Sequence, residues 1–523
     1  MMNAKAVICM NSAIFKSSNT VAVNIPADGL FLAILNKANG DLSEENCIRI
    51  IKEFIDKHLE ADLDIIILNV CYRRCLTPSE VFDSYLYNIE TDENGRKVKV
   101  LSPATGGESK YFAAFFSCAR VLLQNGIDIF KILTDYIKQK GCKVYLSVRM
   151  NDGHYADNPG INASFALKDN GKYTINRDGK ELDFSKKEVQ DYYYQYIKEL
   201  LDTYSVDGIE LDWLRHPTVL PPEHRANSHI LSDYMKKIRG LLDRYNKHLA
   251  VRVLSNEQDN LQNGLDVCAW IADGSVDVIT IENFYIPTNY ELPISQWRSS
   301  IQKRNVANHN YVLLCGSDWA VSCKRGYNIA MTPALVRGFT RECLCNGADG
   351  VYLFNFFEEN DTSSFEFVAD PKASLKNCFS ERMKAAKEPY ALPRRYVHTG
   401  NSKNRYPITL ASGESYNFSH QIQKPFGLCK IVVGCDADVD LSVFINKGDQ
   451  ETALQNDPVF EGFAYIPETE IGKENDFIYA VSQAAPYVKS SVLPLAENES
   501  AEITIKNNAA HPVDLLWLEL SYT

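Results

Sequence analysis

The chain has 523 residues, 45% hydrophobic and 23% charged, which is enough to bury a large core and more than one ordinary domain needs. Its net charge of −12 and the lack of a basic stripe argue against nucleic acid as a partner, because phosphate backbones select a basic face. The opening MMNAKAVICMNSAIFKSS lacks the apolar run and cleavage site of a signal peptide, and no later run of about 18 apolar residues could span a bilayer, so a cytoplasmic protein with no membrane partner is expected.

Short β-branched runs alternate with amphipathic helical runs from residue 29 onward, the pattern of parallel βα units. The predicted strands are GLFLAIL (29–35), LDIIILNV (63–70), KVYLSVRM (143–150), VDGIELDW (206–213), HLAVRVLS (248–255), VDVITIEN (276–283), YVLLCGS (311–317) and DGVYLFNF (349–356). Eight strands close a (β/α)8 TIM barrel. AKAVICM (4–10) competes with 29–35 for the first position. Ser185 with Glu188 reads as a capping box, Thr332-Pro333 as N-cap and N1, and Gly126, Gly141 and Gly347 as helix-ending glycines.

Two connections exceed the usual βα length, 71–110 and 151–185, the latter with a turn signal at Asp178-Gly179. Both follow the carboxyl ends of strands, the face on which barrels carry their sites. Residues 1–387 are expected to form the barrel, 388–407 a Pro-rich basic linker, and 408–523 an all-β sandwich, from runs such as KIVVG, VDLSVFI and AEITIKN. The final VDLLWLELSY resembles the last strand of carbohydrate-binding jelly rolls, so this domain is expected to be an accessory sugar-binding module or a lid.

Fourteen cysteines are scattered along the chain without C-x-x-C pairs, and Cys9, Cys71, Cys142, Cys268 and Cys315 fall inside apolar runs. They read as reduced core residues, and neither metal nor cofactor is expected. Cys343 and Cys345 sit near no His/Cys cluster in sequence.

The run VDGIELDWLRHP (206–217) sets acid into an apolar strand. Strand alternation points Glu210 and Asp212 to one face, with Asp212 nearest the carboxyl end. Such an acid is used in chemistry or pairs structurally with Arg149 or Arg252.

The segment DGIELDWLRHP resembles the fourth-strand motif D-G-I-x-L-D-(Y/W)-x-R-x-P of bacterial glycosyl-hydrolase-like barrels grouped near glycoside hydrolase family 10, over roughly residues 29–360. It is similar, too, to the D-G-x-D-x-D-x-E signature of chitinases, but Leu214 stands where their catalytic Glu would be. An Asp on the fourth strand with an acid on the sixth is similar to several retaining α-glycosidase barrels, which implies Asp212 as nucleophile and Glu282 as general acid/base. Glu282 shares a face with Val278 and Thr280 if the register holds, and is otherwise a surface or salt-bridged acid.

Polar residues at strand ends suit sugar hydroxyls: Glu210, Arg149, Asn151, Asp152, Arg215, Arg252, Asn256, Glu257, Asp318 and Asn355, with Glu358 beyond. Trp213, Tyr285 and Trp319 are candidate stacking platforms. His154 and His216 lack partners at metal spacing and read as satisfied loop histidines. The expected function is hydrolysis of an oligosaccharide or glycoside by two carboxylates. The alternative is a catalytically inactive carbohydrate-binding barrel. A non-sugar lyase or hydrolase is disfavoured because no Ser/His or metal constellation is evident.

Overall fold

A computed structural model describes residues 19–523 except 86, 102–109, 155, 159, 284–287, 319, 325–326, 356–378, 400–405, 422–427, 447–449, 458–486 and 496–499. Eight parallel strands close a barrel: β1 Thr20–Ile25, β2 Ile65–Cys71, β3 Lys143–Arg149, β4 Gly208–Asp212, β5 His248–Leu254, β6 Val278–Glu282, β7 Val312–Ser317 and β8 Gly350–Leu353. β8 pairs with β1 (Gly350 beside Thr20) and so leaves no open edge.

Alternate residues fill the lumen. Ala22, Ile65, Ile67, Tyr145, Ala250, Val278, Val312, Leu314, Tyr352 and Phe354 form one buried cluster, and the strands' other faces pack on the helices. The helix Glu44–Leu59 shows why these segments fold as they do. Ser43 caps it by accepting from the Asn46 N–H, Glu44 and Glu45 open it, Lys57 and His58 close it, and Cys47, Ile50, Ile51, Phe54 and Ile55 form its buried stripe.

The first strand is corrected. GLFLAIL lies within the helix Ala27–Ala38, and β1 is the preceding TVAVNI. The physical reason is composition: Leu- and Ala-rich sequence favours helix, whereas Val21, Val23 and Ile25 are β-branched at alternate positions. The competing run 4–10 lies outside the described residues. The capping box at Ser185 is a second correction, because the helix begins at Lys187 and the Ser185 hydroxyl donates instead to Asp183 Oδ1 at 2.5 Å. Thr332 does cap its helix, accepting from the Leu335 N–H, and Gly126, Gly141 and Gly347 have positive φ at helix ends. Cys71, Cys268 and Cys315 are buried free thiols.

The two long connections are tied to each other on one rim. Arg73, in the first, donates to Asn162 Oδ1 and to the carbonyls of Asp152, Gly179 and Lys180, all in the second. The second is also tied to the loop after β4, through Asn151 to the Thr218 carbonyl (2.7 Å) and the Phe184 N–H to the Val219 carbonyl.

The described residues within 288–292, 317–346 and 379–523 form a second compact unit. Besides the hairpin Ala320–Lys324/Tyr327–Ala330 and the helices Pro333–Cys345 and Phe379–Lys387, it holds the two larger antiparallel sheets that a β-sandwich requires. One has the order 394–397, 513–522, 429–435, 487–493, 455–456, with 408–410 also on 513–522, and the other 415–421, 500–507, 441–445, 450–453. Arg394–Val397, inside the segment expected as a linker, is thus a strand of the larger sheet. Its core contains a buried network in which Arg395 pairs with Glu519 through two bonds (2.6 and 2.7 Å) and the Trp517 indole N–H donates to the same carboxylate. Among the described residues, no helix is long and apolar enough to cross a membrane.

Candidate active site

The carboxyl-terminal end of the lumen is polar, in contrast to the apolar cluster that fills the rest of it. β4 contributes Glu210 and Asp212, β5 Arg252 and β6 Glu282, all at most 3% exposed. Register places Arg149 beside Asp212 and Asp212 beside Arg252. Arg252 joins both expected catalytic acids: Nη1 donates to Asp212 Oδ1 and Oδ2 at 3.1 and 3.0 Å, and Nε donates to Glu282 Oε2 at 2.8 Å. Phe354 forms a floor, its ring centroid 3.5 Å from the Arg252 guanidinium. The inward register inferred for Glu282 is therefore what the fold has, and so is the Asp212–Arg252 pairing weighed as the structural alternative.

Gly316 on β7 makes room for this arrangement. A Cβ there would lie 2.7 Å from the Cβ and Cδ of Glu282. Glu210 sits one layer deeper, where the Tyr352 hydroxyl donates to its Oε1 at 2.9 Å. Burial, then the neighbouring Asp212, push its carboxyl up to about 7. For Arg252, the two carboxylates outweigh burial and hold the guanidinium firmly charged.

A second cluster adjoins on the loops after β3 and β4. Arg149 stacks on Tyr72 (4.3 Å) and donates to Asp152 Oδ2 at 2.7 Å. Asp152 Oδ1 bonds His154 Nδ1 (2.5 Å), and the His154 and His216 rings meet edge to face at 5.0 Å. Burial alone would raise the Asp152 carboxyl, but His154 and Arg149 hold it well below the usual range. The two histidines are hydrogen-bonded loop residues, as expected, but the lack of partners at metal spacing holds only along the sequence: His154, His216 and Asp152 converge in space from two loops, which sequence spacing cannot show.

A metal ion nevertheless fits poorly. His216 Nδ1 accepts the Gly153 N–H at 2.8 Å, which puts the ring proton on Nε2 and leaves no ring lone pair to ligate. Both Asp152 oxygens are already engaged.

The remaining predicted residues separate. Asn151 uses its carboxamide to hold the loops, accepting from the Leu182 N–H and donating to the His216 and Thr218 carbonyls. Trp213 is corrected: it alternates outward and is wholly buried between Phe184 and Trp270, so no sugar can stack on it. Asn256 is corrected to a helix cap, accepting from the Gln258 and Asp259 N–H groups, and Glu257 follows it on that helix, accepting from the Cys268 thiol. Leu214 is buried. Arg215 lies 5.2 Å over the Phe354 ring, while Asp318 is buried directly after β7 and Asn355 follows β8 with φ 48°. Tyr285, Trp319 and Glu358 lie outside the described residues.

Sequence reasoning missed Tyr352 and Gly316 as parts of the site. The signal for Tyr352 was its place two residues before Phe354 on the lumen face of GVYLF. Nothing in one sequence marks Gly316.

No protein-family model and no curated protein matches the chain. Solved structures that resemble it include the PgaB (BpsB) glycoside hydrolase domain from Bordetella bronchiseptica (10% identity, 69% of this chain and 98% of that one, TM-score 0.38). Another is a GH27 β-L-arabinopyranosidase from Geobacillus stearothermophilus (10% identity, 95% and 98%, TM-score 0.37). Tryptophan synthase subunit alpha from Legionella pneumophila resembles it at a similar level (11% identity, 71% and 93%, TM-score 0.32). Likenesses this distant, spread over unlike chemistries, carry no argument about activity; the barrel itself rests on the strand pairing above.

Proposed function

We propose that the barrel hydrolyses a glycosidic bond in an oligosaccharide or glycoside, with Asp212 as nucleophile and Glu282 as acid/base. The observation that carries the reading is the convergence of these two carboxylates, from the carboxyl ends of β4 and β6, on the single guanidinium of Arg252. The resemblance of residues 207–217 to glycosyl-hydrolase-like barrels supports it.

In this reading Asp212, held in place by Arg252, attacks the anomeric carbon and forms a glycosyl ester. Glu282, once released from Arg252 and protonated from solvent, gives that proton to the departing oxygen, and the carboxylate so formed takes a proton from the water that hydrolyses the ester. Substrate entry must exchange the Arg252–Glu282 bond for one between Glu282 and the glycosidic oxygen. A retaining displacement asks for about 5–5.5 Å between the carboxyl groups, and one guanidinium bonded to both holds them close.

The second reading, a barrel that binds sugar without cleaving it, is favoured by the same ion triad, which would suit a purely structural role, and by the buried Leu214. Turnover of a panel of aryl glycosides and oligosaccharides by the wild type, by Asp212→Asn and by Glu282→Gln separates them. The proposal expects wild-type turnover lost in Asp212→Asn, and binding without turnover by the wild type favours the second reading.

A further inference from the structure

Three carboxyl groups share the polar end of the lumen, and Arg252 bonds only two of them. The nearby Arg149 is engaged by Asp152. Glu210, the third, is 1% exposed and faces Asp212 along its own strand, Ser147 across from β3, Arg252 from β5 and Tyr352 from β8. Its Oε1 accepts from Tyr352, and its Oε2 is buried with the Ser147 hydroxyl nearby but outside good hydrogen-bond geometry. A bare carboxylate in that position would cost several kcal/mol, whereas a neutral carboxylic acid fits it.

We propose that Glu210 is a positioning residue that holds a proton at neutral pH, and that this proton keeps Arg252 committed to Asp212 and Glu282. The inference deepens the proposed function but concerns a state of the protein that exists without substrate. When Glu210 ionises, a third anion competes for the one guanidinium and repels Asp212, which loosens the pair. The raised carboxyl, at about 7, places that transition at and above neutrality.

The consequence for stability has a fixed sign. Between the ordinary glutamate value and 7 the folded chain holds a proton that the unfolded chain has released, so stability falls as pH rises through this window and levels off above it. From 4.5 to about 7 the accumulated difference is about 300-fold in the unfolding equilibrium constant.

Glu210→Gln mimics the protonated form and removes the titration. Unfolding of the full chain by urea at several pH values from 5 to 8 is expected to show the unfolding equilibrium constant of the wild type rising about 70-fold more across the range than that of Glu210→Gln, the part of the full difference that falls between these pH values. Parallel slopes would overturn the inference. The positioning role is read from the Arg252 Nε–H by 15N NMR: at pH 8 it is expected to exchange faster in the wild type than in Glu210→Gln, and equal rates would overturn that role.

If Glu210→Gln does not fold, the side-chain carboxyl carbon of Glu210 in labelled wild-type protein decides, with titration near 7 expected and titration near 4.5 contradicting. For a glycoside that is turned over, the fall in kcat above pH 7 should vanish in Glu210→Gln. Wild-type behaviour in Glu210→Gln beside a dead Asp212→Asn sinks this inference alone, whereas an active Asp212→Asn sinks the functional reading and leaves the proton measurements standing.

Discussion

Replacing Arg252 by methionine keeps much of the stem volume and removes the charge that Asp212 and Glu282 share. The side chain is 2% exposed and makes three hydrogen bonds to the two carboxylates, besides its contact over Phe354. Breaking one buried ion pair by deleting a partner costs about 3–5 kcal/mol, because the surviving charge stays desolvated. Two surviving charges put Arg252→Met at the upper end, about 5 kcal/mol at pH 8.

The loss must depend on pH with a definite sign. Without the cation, burial raises both carboxyls above their unfolded values, so the variant's stability falls as pH rises and recovers as acid protonates them. Urea unfolding at pH 8 and pH 5, followed by the fluorescence of the buried Trp213, Trp270 and Trp297, measures both terms. A loss under about 1 kcal/mol, equal at the two pH values, would refute the reasoning that these acids are charged and held by Arg252.

Gly316→Ala should displace the Glu282 carboxylate and cost about 1–3 kcal/mol, read as a lower Tm, with backbone conformation unaffected because only the Cβ collides. Glu519→Leu leaves Arg395 buried without its partner and should destabilise the second compact unit by about 3–5 kcal/mol, seen as an earlier transition by calorimetry while activity per folded molecule is kept. Arg73→Ala severs four ties between the two long loops. Limited proteolysis should then cut within 71–110 or 151–185 sooner than in the wild type, and an unchanged cleavage pattern would show that the loops are held by other contacts.

Seven of the eight barrel strands could be read from the sequence because each is a short apolar run bounded by turn signals and followed by an amphipathic helix. The first could not, because GLFLAIL is apolar on every side and its period fits helix and strand alike. Asp212 and Glu282 were legible since strand alternation fixes which side chains share the lumen. Alternation also placed Trp213 outward, but the pull of an aromatic residue next to an acid outweighed it. What stayed hidden depends on contacts across the barrel. Arg252 choosing two acids, Tyr352 reaching Glu210 across the closed lumen, and Gly316 yielding space to Glu282 all join strands far apart in the chain. Asp152, His154 and His216 meet only because the loops after β3 and β4 fold over one rim.

The most direct measurement of the central claim is the rate of glycoside cleavage by folded Asp212→Asn beside the wild type, on the substrates that the wild type turns over. The amide keeps the shape of the side chain and removes the nucleophilic charge, so kcat should fall by several orders of magnitude while substrate binding persists, and azide should restore part of the rate. Wild-type rates in folded Asp212→Asn would contradict the account.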